Sequence, residues 1–87
     1  MKIKEGFVVK EIAGQCVVIA LGEASKIFNG LIKLNDTGRF IWDKLVDGTQ
    51  TSDIVEAMLG EYDVDRETAQ KDVEKFIDTL KGAGILE

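Results

Sequence analysis

The chain changes character at Leu34-Asn35. Before that point the apolar residues come in short runs rich in β-branched side chains and broken by glycine. After it they recur at helical spacing, and no proline interrupts them. Residues 7–12 form a first strand, Ala13-Gly14 breaks it, and residues 15–21 form a second. Residues 7–21 are therefore predicted as a hairpin, with Gly14 supplying the positive φ of its turn. Residues 22–29 read as a connection of mixed character in which Ile27 and Phe28 are expected to be extended. Gly30 then opens a short third strand, Leu31-Ile32-Lys33-Leu34.

Asn35-Asp36-Thr37 offers capping oxygens ahead of a helix over 38–46, which Asp47-Gly48 ends. Thr51 is expected to cap a second helix with the apolar set Ile54, Val55, Met58, Leu59 and Tyr62. The third helix covers 66–81. Asp65 is its cap, Thr68 stands at N3, and Val64 and Ala69 hold the staple positions. Ala69, Val73, Phe76, Ile77 and Leu80 line up as one apolar stripe. Gly82 and Gly84 stop the helix, so Ile85-Leu86 can fold back on its last turn. The expected architecture is α+β and winged-helix-like, with three N-terminal β-strands followed by three α-helices in a single domain over 1–87. Trp42 reads as core, and Phe40, which falls among Arg39, Asp43 and Lys44, is expected to cover the sheet.

Composition removes several function classes. Eleven Lys and Arg against 16 Asp and Glu give a net charge of −5. That field disfavours nucleic acid, whose readers normally carry a basic face. The chain has no histidine, so the commonest general base and metal ligand is missing. Cys16 is the one cysteine and lies in the apolar run Cys16-Val17-Val18-Ile19-Ala20-Leu21. With nothing basic beside it in sequence, it is expected to be a buried structural thiol. No nucleophile has a histidine partner, no glycine-rich phosphate loop is present, and the carboxylates are spread along the helices. The chain is thus predicted to be non-catalytic, with no cofactor and no metal site. The N-terminal residues lack the apolar core of a signal peptide and no stretch is long enough to span a membrane, so a cytoplasmic protein is expected.

An ordered set of short motifs runs through the chain. Leu34-Asn35-Asp36-Thr37-Gly38 is followed by Ile41-Trp42, Leu45 and Gly48. Then come Tyr62-Asp63-Val64-Asp65, Asp72-Val73, Phe76, Leu80 and finally Gly84-Ile85-Leu86. Each piece is weak alone, but the set resembles the PqqD family, also called RiPP recognition elements, over residues 7–86. The resemblance implies a winged-helix-like domain that binds the leader segment of a ribosomally made precursor peptide. The leader would add as an extra strand to the third strand and lie beside the third helix, for a modifying enzyme that is often a radical SAM protein. Members devoted to pyrroloquinoline quinone carry a Pro shortly before the third strand and a Trp in the first. This chain has neither, so another peptide product fits at least as well.

Carried onto this sequence, the docking edge is Leu31, Ile32, Lys33 and Leu34. By themselves these four residues read as an ordinary edge strand with a guarding lysine; the family pattern turns them into a peptide-binding edge. The third helix would offer Asp72, Lys75 and Thr79 as a flank, with Phe76 at the groove floor. Its opposite flank of Gln70, Glu74 and Lys81 stays open as an alternative. Exposed strand edges also allow two copies to pair, so a homodimer is a further option.

Two rival functions compete. A winged-helix DNA-binding regulator would use the third helix for recognition, but Arg66, Lys71, Lys75 and Lys81 are offset there by Glu67, Asp72, Glu74 and Asp78. An acidic carrier protein would need a modifiable serine in an Asp-Ser-Leu setting. Ser25 lies between Ala24 and Lys26, and Ser52 between Thr51 and Asp53.

Overall fold

The structure, a computed structural model, describes residues 1–28 and 30–87. Its elements run β1 (Phe7–Ile12), β2 (Gln15–Ala20), a short 3-10 helix (Gly22–Lys26), β3 (Ile32–Leu34), α1 (Asp36–Val46), α2 (Thr51–Glu61) and α3 (Arg66–Gly82). The strands form one antiparallel sheet in the order β1-β2-β3, so the α+β order of three strands and then three helices holds. The hairpin turn has φ +53 at Ala13 and φ +79 at Gly14. Two successive left-handed residues make the kind of turn whose twist matches the flanking strands. The sequence reading asked for a positive φ at Gly14 alone.

Three expectations need correction. Ile27 and Phe28 do not continue an extended segment: residues 22–26 coil into the 3-10 helix, Ile27 is helical, and the amides of Ile27 and Phe28 both donate to Ala24 O. Ala24, buried on the core, holds this coil in place. Residue 29, the last of the expected connection, lies outside the described residues. The third strand is one residue shorter than expected. Leu31 precedes β3 and is 63% exposed, because pairing with β2 begins at Val18↔Ile32. Finally, Gln50 holds the N-cap position of α2, without a side-chain bond, and Thr51 is the first helical residue.

Of the three candidate caps before α1, Asn35 is the one used, so the helix starts at Asp36 rather than at residue 38, while Asp65 caps α3 as expected. Asn35 Oδ1 accepts from Gly38 N at 2.8 Å, and Asp65 Oδ1 from Thr68 N at 2.7 Å. These bonds satisfy amides that the first helical turn leaves without partners. Beyond α3, Gly84 has φ +74 and the Ile85 amide returns to Leu80 O, which turns Ile85 and Leu86 into the core. There they meet the N-terminal residues: Ile3 bridges Leu86, and the Lys4 amide donates to Ile85 O at 2.8 Å.

Side chains alternate across the sheet. Phe7, Val9, Cys16, Val18, Ala20, Ile32 and Leu34 face inward on Ile41, Trp42 and Leu45 of α1, Ile54, Val55 and Met58 of α2, and Val73, Ile77 and Leu80 of α3. Val8, Lys10, Ile12, Val17, Ile19 and Lys33 take the outer face. Among the described residues, no helix is long and apolar enough to cross a membrane.

Candidate functional site

The hydrogen-bond parity of the sheet decides what β3 presents on its far side. In an antiparallel ladder the N–H and C=O of one residue point to the same neighbour, and those of the next residue point the other way. The Leu21 amide donates to Gly6 O at 2.7 Å, which makes Gly6 and Leu21 a hydrogen-bonded pair. Stepping by two along the register, Ile19, Val17 and Gln15 also bond to β1. Cys16 and Val18 must therefore bond to β3, through Leu34 and Ile32. Lys33, opposite Val17, is left with both its backbone N–H and its C=O directed away from the sheet. β3 is thus sealed on one side only, and Lys33 is the residue that offers a double hydrogen bond to a further strand. β1 forms the other edge of the sheet.

What distinguishes the β3 edge is the trough beside it. One hollow, about 580 Å³, runs past Ile32, Lys33, Leu34 and Asn35 to Phe76 and Thr79. A second, about 280 Å³, continues from Asn35, Gly38 and Ile41 to Asp72, Lys75, Phe76 and Thr79. They share Asn35, Gly38, Phe76 and Thr79, so they form one passage between β3, the start of α1 and one flank of α3. The structure therefore brings together Ile32, Lys33, Leu34, Asp72, Lys75, Phe76 and Thr79 from the sequence-derived set. Leu31 stands outside both hollows. Phe76 is half-buried and packed against the core, which suits a floor. The opposite flank of α3 faces elsewhere: Gln70 Nε2 donates to Glu74 at 2.9 Å, and both lie beside the N-terminus of α2.

Asn35 and Gly38 of this passage went unread as site residues in the sequence, whereas Thr79 was expected there. Asn35 Oδ1 is taken by Gly38 N and Thr37 Oγ1, so its NH2 group is the donor end of the amide at the junction of the hollows. Gly38 admits Phe76: a Cβ there would stand 3.4 Å from Phe76 Cε1 and 3.1 Å from Asn35 Oδ1. Thr79 Oγ1 donates to Lys75 O at 3.1 Å, which leaves its lone pairs as acceptors. The motif Leu34-Asn35-Asp36-Thr37-Gly38 carried the first two, but as a helix start rather than as a wall.

Two neighbouring side chains differ from expectation. Cys16 is half-buried, and Arg39 Nη1 donates to its Sγ at 3.4 Å. The basic neighbour that the local sequence lacks comes from α1. Arg39 also binds Asp43 at 3.0 Å, and first Asp43, then the thiol, raise the guanidinium pKa above its ordinary value. Phe40 covers Tyr62 rather than the sheet, edge-to-face at 5.4 Å, with Lys44 Nζ 5.1 Å from its ring centre. On α3, Arg66 pairs with Glu56 and Lys71 with Glu67, so two of its four basic residues are already neutralised by carboxylates, which weakens its attraction for phosphates.

The family described as Coenzyme PQQ synthesis protein D (PqqD) matches residues 15–86. The chain belongs to the PqqD family. Among solved structures, TbiB1 in complex with the TbiA(beta) leader peptide is similar to it at 31% identity and a TM-score of 0.78, over 100% of this chain and 95% of that one. Lasso peptide synthetase B1 complexed with its leader peptide shares the fold at 24% identity and a TM-score of 0.74, over 97% and 93%. None of the curated proteins compared matches it. In this PqqD family member the signature Leu34-Asn35-Asp36-Thr37-Gly38 forms the corner where β3, α1 and the trough meet.

Proposed function

We propose that this chain is a peptide-binding domain, over residues 1–87, that captures the leader segment of a ribosomally made precursor peptide and presents it to a separate modifying enzyme. The observation that carries this reading is the outward N–H and C=O of Lys33 next to a trough floored by Phe76. Strand addition draws affinity from backbone hydrogen bonds and specificity from pockets for alternate side chains, and this edge offers both. Ile32, Leu34 and Phe76 supply apolar contact, while Asn35, Asp72, Lys75 and Thr79 supply polar contact. The similarity to TbiB1, solved with a leader peptide, supports the same reading.

In this role the protein has no chemistry of its own. Holding the leader makes the encounter between core peptide and enzyme effectively intramolecular, and effective concentrations for short tethers reach about the millimolar range. A radical SAM protein fits as the enzyme, and the cytoplasm, where precursors are translated, is the expected setting. The test is calorimetric titration with the leader segment and, separately, the core segment of a candidate ribosomally made precursor peptide. Saturable binding of the leader and none of the core is expected. Absence of heat with the leader would contradict the assignment.

A further inference from the structure

The outer face of the sheet says which kind of peptide the β3 edge selects. Here Lys10, Val17 and Lys33 stand side by side in register, one from each strand. Val17 is only 5% exposed although it lies outside the core cluster, and the register puts a lysine stem on either side of it. No carboxylate stands on this face of the strands. Glu11, the one acid in β1 or β2, alternates to the other face. Among the described residues, neither Lys10 nor Lys33 has an ion-pair partner. The molecule carries net charge −5, yet the outer face of the strands bears lysines and no acid; Asp36, which lines the hollow together with Lys33, belongs to the start of α1.

The parity of the ladder turns this into a register. A strand added antiparallel to β3 must place one residue directly opposite Lys33, as a hydrogen-bonded pair. That residue's side chain falls on the outer face, continuing the row Lys10-Val17-Lys33. Its two neighbours point to the other face, over Ile32, Leu34 and Phe76. We infer that the captured peptide carries an aspartate or glutamate opposite Lys33, flanked on both sides by side chains that enter the trough. This rests on the leader-capture reading and adds the charge and the phase of the ligand. Opposite charges directly across a ladder attract and like charges repel, so the pair also penalises a peptide shifted by one residue, which would turn its acid into the trough.

The test uses the full chain, immobilised, and a displayed library of random short peptides as the probe. The most enriched peptide is synthesised, scanned with N-methyl residues, and titrated against wild type and Lys33→Glu. An acid is expected at one fixed position. N-methylation should destroy binding at that position, whose amide faces Lys33 O, but not at its immediate neighbours, whose amides point away from β3. Lys33→Glu should weaken binding about five- to ten-fold, since a cross-strand attraction becomes a repulsion. A peptide with lysine in place of its acid should recover that loss on Lys33→Glu. If alternating N-methyl sensitivity appears but the enriched peptides show no fixed acid and Lys33→Glu binds as well as wild type, the charge rule is wrong while strand capture survives. If N-methylation has no alternating effect, both fall.

Discussion

Gly38, which has no side chain, stands against Phe76 at the floor of the trough. An added Cβ on Gly38 would stand 3.4 Å from Phe76 Cε1 and 3.1 Å from Asn35 Oδ1, the oxygen that caps α1. Gly38→Val is therefore expected to push the ring out of place, crowd the cap and narrow the passage. Overpacking of this kind costs about 1–3 kcal/mol. Urea unfolding should show a loss in that range, and calorimetry should show weakened leader binding. Phe76→Leu keeps an apolar floor without the ring and should weaken binding with a smaller loss of stability.

Proline separates the two sides of β3. The Ile32 amide bonds to Val18, whereas the Lys33 amide points outward. Ile32→Pro removes an internal ladder bond, so it should destabilise the fold together with binding. Lys33→Pro leaves the ladder to β2 intact and removes what β3 offers a partner, the outward donor together with the lysine side chain, and proline is tolerated where an edge N–H faces solvent. It should leave the thermal midpoint near that of the wild type while leader affinity falls at least ten-fold, a net loss of about 1.4 kcal/mol or more. Equal destabilisation by both variants would show that the deduced parity is wrong.

Asp65 ties the start of α3 to pH. Its hydrogen bonds from Thr68 lower its pKa below the ordinary 3.8. A carboxylate with a depressed folded-state pKa adds stability that is present above the unfolded value and lost as pH falls through the folded one. Asp65→Asn should consequently flatten the acid side of the stability curve, below about pH 4, and change its slope little near neutrality. Thermal unfolding across that range checks this.

At the end of α3, Gly84 has φ +74, and a Cβ there would lie 3.0 Å from Ile27 Cγ2. Gly84→Ala should cost about 1–2 kcal/mol from the left-handed backbone, with a further loss from the contact with Ile27. Denaturant midpoints would show it. Leader affinity at saturating folded protein should be unchanged, since neither residue lines the trough.

Much of this site was legible in the sequence, and for local reasons. Caps at Asn35 and Asp65, stops at Gly48 and Gly84, and the stripe through Val73, Ile77 and Leu80 depend on residues a turn apart. The flank of Asp72, Lys75, Phe76 and Thr79 follows from helical spacing once the family pattern points to α3. What stayed hidden depends on contacts between distant elements. Arg39 meets Cys16 across 23 positions, and Phe40 finds Tyr62 rather than the sheet. Ile27 and Phe28 look like a strand by composition, but burial of Ala24 draws their segment into a 3-10 coil. Most consequential is the direction of the Lys33 backbone, which follows from ladder parity counted back to Gly6 and Leu21.

Amide hydrogen exchange at Lys33, followed by NMR with and without saturating leader peptide, tests strand capture most directly. The account predicts that the Lys33 amide becomes strongly protected on binding. Ile32 and Leu34, already bonded to β2, should change far less. Unchanged exchange at Lys33, or new protection confined to the opposite edge at Val9 and Glu11, would contradict it.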